Sequence, residues 1–444
     1  MDRMFSNQQL RRLIGPLLVE QLLVMLVGMM DTVMVSSAGE AAVSGVSIVN
    51  EVNYLVITVL SALAAGGAVI VSQYLGNNDK ANSDKSASQL IMIAFLISTA
   101  LMVICLIFCR QILMLLYGSV SSDVMEAAVT YFWITTLSFP FLGLYNCGSA
   151  MYRSMNATKV TMVVSIIMNT VNIIGNYIGV YIFHMGAAGV AWPTFLSRVI
   201  AALILCTLAF NQENAVSIEW KNILAWNSDI LKRILKIAVP NSIENGLFQF
   251  GRVVVTIFIA TYGTSQIAAN GVANSFSTLA IIASAAVQLA IVTVVGQCVG
   301  ANDYKQAQYY MKKMIKIAYI SGLVNCLLVL AVMPIGMKMY TLTPETEKIV
   351  TEIMYWNCLA TALLHPLSFV LPNGLRAAGD AKYTMIVGVV SMFVVRISMA
   401  YLLGSVLQLF VLGTYFAMFL DWCARIVCFT LRYHSGKWMN YRAI

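Results

Sequence analysis

Charge is the scarcest thing in this chain. Only 10% of its 444 residues are Asp, Glu, Lys or Arg, against roughly 25% in ordinary soluble domains. Histidine is rare too: His184 and His434 lie near the ends of apolar segments, and His365 precedes Pro366 inside one. The nine cysteines contain no CxxC pair, and no His/Cys/carboxylate cluster has ligand spacing, so neither a metal nor any other cofactor is expected. There is no GxxxxGK[ST] loop to bind ATP. No nucleophile and base are clustered, which argues against an enzyme. Strict period-2 alternation is missing, which argues against a membrane barrel. No signalling domain is attached, which argues against a receptor.

What fills the chain is apolar: 60% of it is hydrophobic. A spanning helix needs about 20 mostly apolar residues. Twelve segments qualify, at roughly 13–36, 46–74, 88–116, 128–151, 160–183, 187–210, 234–261, 268–297, 314–336, 350–373, 384–404 and 408–431. With both termini on the cytoplasmic side, twenty Lys and Arg residues fall in inside segments and only Lys338 and Lys348 outside. That is a strong positive-inside bias, and it places the protein in the cytoplasmic membrane as a multi-pass chain. The net charge of +8 is therefore topological. Its dispersal along the chain argues against nucleic-acid binding.

The chain also repeats itself. IGPLLVEQ (14–21) answers to AVPNSIEN (238–245), and QYLGNND (73–79) to QCVGAND (297–303). Pro16 and Pro240, Glu20 and Glu244, and Asp79 and Asp303 are each 224 residues apart. RSMNATKVTM (153–162) answers to RAAGDAKYTM (376–385) at 223. Six spans per copy return the chain to the same side, so both copies insert in one orientation. The expected fold is an all-α membrane protein of twelve transmembrane helices. Residues 1–210 form an N-lobe and 234–444 a C-lobe, related by a pseudo-two-fold axis along the membrane normal. Residues 211–233 are a cytoplasmic linker, with Trp220 and Trp226 suited to an interface. Duplicated halves in a lipid-soluble chain mark an alternating-access transporter. Without an ATP site, any pumping must draw on an ion gradient.

Polar groups inside the spans are the candidate machinery, because an ionisable group at membrane depth is costly and usually faces a partner or a cavity. Span one carries Glu20 and Asp31. They are almost three turns apart, on one face and about 16 Å apart along the axis. Span five carries Asn169, Asn172 and Asn176 at i, i+3 and i+7, again one face. A carboxylate binds Na⁺ or exchanges H⁺, and amide oxygens are hard ligands for a small cation. The same groups also serve simply to hold helices together, and both readings stay open at this level. The second copy keeps Glu244 for Glu20 but has Val255 for Asp31, and Met392, Val395 and Met399 for the asparagines. A single coupling site would therefore lie in the first half. Arg198, Arg252 and Arg396 are intramembrane cations, each able to pair with an acid. Asp421 and Arg425, at i and i+4, are expected to pair with each other. Glu51, early in span two, suits a vestibule.

Taken in order, these motifs resemble the multidrug and toxic compound extrusion (MATE) transporters, within the multidrug/oligosaccharide-lipid/polysaccharide exporter superfamily. The likeness rests on Pro16 with GMMDTVMV around Asp31, the QYLGNND and QCVGAND joints, RSMNATK and RAAGDAK, the Asn-rich span five, and GAAGVAWPTFLSR in span six. It covers nearly the whole chain. It implies two six-helix lobes around a V-shaped cavity and export driven by entering Na⁺ or H⁺. By resemblance, Asp31, Asn172, Asn176 and Thr194 form the N-lobe ion-coupling site. Glu20, Glu51, Asn169, Glu244 and Arg252 are candidates for the substrate cavity or for coupling. One branch of the family carries a C-lobe acid where this chain has Phe248, with Glu244 a turn earlier. The branch that relies on the N-lobe therefore fits better, although this chain has Asn176 where that pattern has a further acid. The expected activity is antiport of small organic molecules, organic cations foremost, by a monomer in the lipid bilayer. A lipid-linked oligosaccharide flippase of the same superfamily is the nearer alternative, kept open by the intramembrane arginines. A non-transport receptor is the more distant one.

Overall fold

The computed structural model describes residues 3–118, 120–338, 340 and 342–444, apart from the side chains of Met29 and Thr32. Among them there is helix and no strand. In chain order the helices are α1 (Asn7–Ser36), α2 (Glu40–Gly76), α3 (Lys80–Ile107), α4 (Cys109–Tyr117), α5 (Ser122–Leu137), α6 (Phe139–Ser154), α7 (Thr158–Tyr177) and α8 (Ala188–Ala209). After them come α9 (Trp220–Leu224), α10 (Ser228–Ala260), α11 (Thr264–Gly300), α12 (Tyr304–Met337), α13 (Pro344–His365), α14 (Leu371–Ala377), α15 (Ala381–Val390) and α16 (Phe410–His434). Eleven helical stretches are long and apolar enough to cross a membrane. A twelfth is counted if α5 and α6, bent by 48° where they meet, form one span. The bend falls at Ser138, just before Pro140. A proline fits the first turn of a new helix but not the interior of a continuing one.

Large apolar side chains cover the outside of these helices. Val33, Ile107, Ile335 and Leu431 are all exposed. In water this surface would be a liability; in lipid it is the solvent-facing side.

Contacts divide the chain into two compact units, Ser6–Ser242 and, with residues 3–5, Ile243–Ala443. The sequence copies are legible inside each. Asp79 caps α3 by accepting from the backbone N–H of Asn82, and Asp303 caps α12 by accepting from that of Gln306. Both are N-caps of the expected kind. The turn residues before them match as well: Asn78 has φ 56° and Asn302 φ 59°. The division falls inside α10, after Pro240, rather than at the start of the second sequence copy. The reason is local packing. Arg233 donates to the Tyr74 hydroxyl at 2.6 Å, and Asn241 to the Ala62 carbonyl at 3.4 Å. A Cβ on Gly66 would stand 2.8 Å from the Ala238 backbone. The opening turns of α10 thus lie against α2 in the first unit.

The linker is fastened to that unit too. Ser217 N–H donates to Asp84 at 2.8 Å, and Lys80 reaches the Gln212 and Asn214 carbonyls at 3.1 and 2.7 Å. Trp220 and Trp226 remain exposed.

Candidate functional site

The first unit gathers its polar side chains from α1, α7 and α8. Two helices must come unusually close for this, and glycine permits it. A Cβ on Gly175 would meet Pro193 at 2.6 Å. One on Gly179 would run into the backbone of Gly189, and one on Gly189 would stand 2.8 Å from the Gly179 carbonyl carbon. α7 and α8 therefore touch backbone to backbone, as small residues allow in membrane helices. Just beyond Asn176 the helix widens into a π turn over Ile178–Ile182, a local distortion that often accompanies functional sites.

This close crossing assembles a continuous chain of hydrogen bonds. Asn176 Nδ2 donates to Asp31 Oδ1 at 2.6 Å and to Asn172 Oδ1 at 3.2 Å. Asn172 Nδ2 donates to Thr194 Oγ1 at 3.1 Å, and Thr194 Oγ1 donates to the Val190 carbonyl at 2.8 Å. Asn172 and Asn176 are buried, Asn176 completely. Because both acceptors lie on the Nδ2 side of Asn176, its amide orientation is fixed. Its Oδ1 is left buried with no hydrogen-bond partner. An unpaired buried acceptor beside a carboxylate is costly unless something electropositive sits there.

Gly179→Ala tests the crossing. The new methyl would meet backbone, which cannot rotate away. The expected loss is about 1–3 kcal/mol of stability, typical of overpacking. It is read as a lower melting temperature of the purified protein, with Asn172 drawn away from Thr194. An unchanged melting temperature would show that the helices can separate freely.

The remaining predicted residues go elsewhere. Asn169 is buried but its Nδ2 turns to Ser165 Oγ at 3.3 Å, outside the chain from Asp31 to Thr194. Glu51 is exposed on α2. Glu20 is held by Arg153, with Nη1 to Oε1 at 3.5 Å, and by the Thr161 hydroxyl at 3.0 Å. Glu244 makes the matching pair in the second unit, with Arg376 Nη2 to Oε2 at 2.6 Å. Arg153 and Arg376 belong to the RSMNATK and RAAGDAK joints, so the repeat carries an ion pair as well as a motif. Sequence reasoning named both acids and both joints without joining them; their nearly equal offsets, 224 for the acids and 223 for the arginines, were the available signal. Glu244→Gln would leave Arg376, which is buried, without its carboxylate. About 1.5–3 kcal/mol of stability should go, as for a charged hydrogen bond, with the ion dependence of any activity unchanged. A shifted ion dependence would make Glu244 part of the coupling machinery instead.

Of the intramembrane arginines, Arg198 donates to Ser138 Oγ at 2.7 Å. Among the described residues Arg198, Arg252 and Arg396, though each able to pair with an acid, form no ion pair with one. Asp421 and Arg425 do pair, with Nε to Oδ1 at 3.2 Å, almost wholly buried. Arg252 and Arg396 line a cavity of about 380 Å³ within the second unit.

The MatE family model matches this chain twice, at residues 16–178 and 240–402. Both bounds of the second match lie 224 residues beyond the first (240 minus 16, 402 minus 178), the offset of the sequence copies. Among relatives, the uncharacterized transporter YisQ of Bacillus subtilis (strain 168) is 28% identical over 99% of this chain and 96% of that protein. The probable multidrug resistance protein NorM of Thermotoga maritima is 25% identical over 97% and 93%. Among solved structures, the outward-facing conformation of a multidrug resistance MATE family transporter of the MOP superfamily superposes with a TM-score of 0.90 at 18% identity. That match covers 98% of this chain and 100% of that one, so the all-helical fold is shared.

Proposed function

Since this chain belongs to the MatE family of membrane transporters, we propose that it works as a secondary active exporter. It would move small organic molecules outward across the cytoplasmic membrane while Na⁺ or H⁺ enters, its two lobes alternating access. The observation that carries this reading is Asp31 with Asn176: a carboxylate joined at 2.6 Å to a fully buried amide whose own oxygen has no partner. Na⁺ fits there. Asp31, Asn176 Oδ1, Asn172 Oδ1 and Thr194 Oγ1 are all hard oxygen ligands. H⁺ fits as well, since one carboxyl suffices to take up and release it. Multidrug resistance in the names of relatives supports a small organic cargo.

Organic cations are favoured as cargo if Glu20, Asp31, Glu51 and Glu244 outweigh the intramembrane arginines; Glu20 and Glu244 are already paired with Arg153 and Arg376, which weakens that preference. The positive-inside bias supports cytoplasmic termini.

Ethidium efflux from proteoliposomes tests the proposal, with a pH gradient and a Na⁺ gradient imposed separately. Efflux should appear under one gradient and vanish when it is collapsed. Efflux indifferent to both gradients would overturn ion coupling.

A further inference from the structure

The cavity in the second unit has a sign. It is bounded by α10, α11, α13, α16 and the π turn at Ser391–Ile397. Its charged lining consists of Arg252 and Arg396, and no acid is among its lining residues. The nearby acid Asp421 accepts at Oδ1 from Arg425 Nε at 3.2 Å. One carboxylate, Asp421, therefore serves three guanidiniums, Arg252, Arg396 and Arg425, and two positive charges stand in excess. Neither makes an ion pair among the described residues, and Arg396 Nε is buried with no hydrogen-bond partner. Phe248 sets the geometry. The Arg396 and Arg425 guanidiniums lie 5.3 and 5.1 Å from its ring centre, cation–π contacts that hold both planes in place.

Two excess positive charges at membrane depth are expensive, and a guanidinium's fork matches a carboxylate, sulfonate or phosphate. The rest of the lining suits the body of such a molecule. Asn270 and Asn274 offer amide donors, and Phe369 and Trp422 offer aromatic faces. A volume of about 380 Å³ is within the range that holds a small organic ligand.

We propose that this cavity binds the acidic head of an amphipathic organic anion through Arg252 and Arg396. The inference deepens the exporter reading by naming a substrate class, and rests on it only for the claim that the bound molecule is cargo.

The test is calorimetric, on the full-length protein in phosphatidylcholine nanodiscs. The probes are 1-naphthoate and 1-naphthylmethylammonium, which share a ring and differ in charge. Naphthoate should bind at least about tenfold more tightly than the ammonium, a difference a single charged contact can supply. Arg252→Gln with Arg396→Gln should remove that preference, whereas Lys at either position should retain much of it. Where the double variant does not fold, the wild-type preference and the single Lys and Gln variants decide. Equal or tighter binding of the ammonium overturns the proposal, and so does naphthoate binding indifferent to both arginines. Discs containing phosphatidylglycerol separate two sources of the same chemistry. Competition through the arginines would assign the site to a lipid headgroup, and no competition to a soluble anion; either keeps anion recognition. Asp31→Asn should keep the preference for naphthoate over the ammonium, so failure of ion coupling and failure of this inference are read apart.

Discussion

Asp31→Asn is expected to abolish gradient-driven efflux while leaving the protein folded and in the membrane. The substitution removes one negative charge and almost no volume. Asn176 Nδ2, now 2.6 Å from Asp31 Oδ1, keeps an acceptor in the new amide oxygen, so the crossing of α1 and α7 should survive. What disappears is the only formal charge in the chain of groups from Asp31 to Thr194. A Na⁺ ion would then be left with neutral oxygens alone, and H⁺ with no titrating group. Efflux of ethidium should fall to the leak of empty vesicles under either gradient. Binding of substrate without a gradient should fall much less, because coupling is a free energy shared between two sites and only the ion's site is altered. Wild-type efflux with unchanged ion dependence would move the coupling group elsewhere, with Glu20 and Glu244 next in line.

The largest loss of stability is expected at Asp421. Its side chain is fully buried, and so, nearly, is that of Arg425. Arg425 also donates to the Gly388 carbonyl at 3.0 Å and lies over the Phe369 ring. Asp421→Leu would leave a buried guanidinium without its counter-charge. Breaking a buried pair in this way costs about 3–5 kcal/mol. Replacing both partners, Asp421→Leu with Arg425→Met, should recover most of that, since the desolvation cost leaves together with the attraction. Melting temperatures of the single and double variants in detergent make the comparison. A single variant that melts with the wild type would mean that water reaches Arg425.

The sequence by itself determined the apolar spans and the two copies, because hydropathy is a property of neighbouring residues and a fixed offset is read directly along the chain. It also supplied the i, i+4 pair Asp421–Arg425, which needs only the helical period. Tertiary structure decided which polar groups meet across helices. Asn176 reaches Asp31 from 145 residues away, whereas Asn169, on the same helical face, turns to Ser165. Glu20 and Glu244 stood in the sequence without named partners, and their arginines come from 133 and 132 residues away. Arg252 and Arg396, each able to pair with an acid, line a cavity instead. Such meetings depend on how far each helix is rotated and how closely its neighbour approaches; here π turns at Ile178–Ile182 and Ser391–Ile397 change the helical period, and the Gly179–Gly189 contact allows the close approach. A helical period names the residues on a face; only the packed neighbour fixes which of them the face presents.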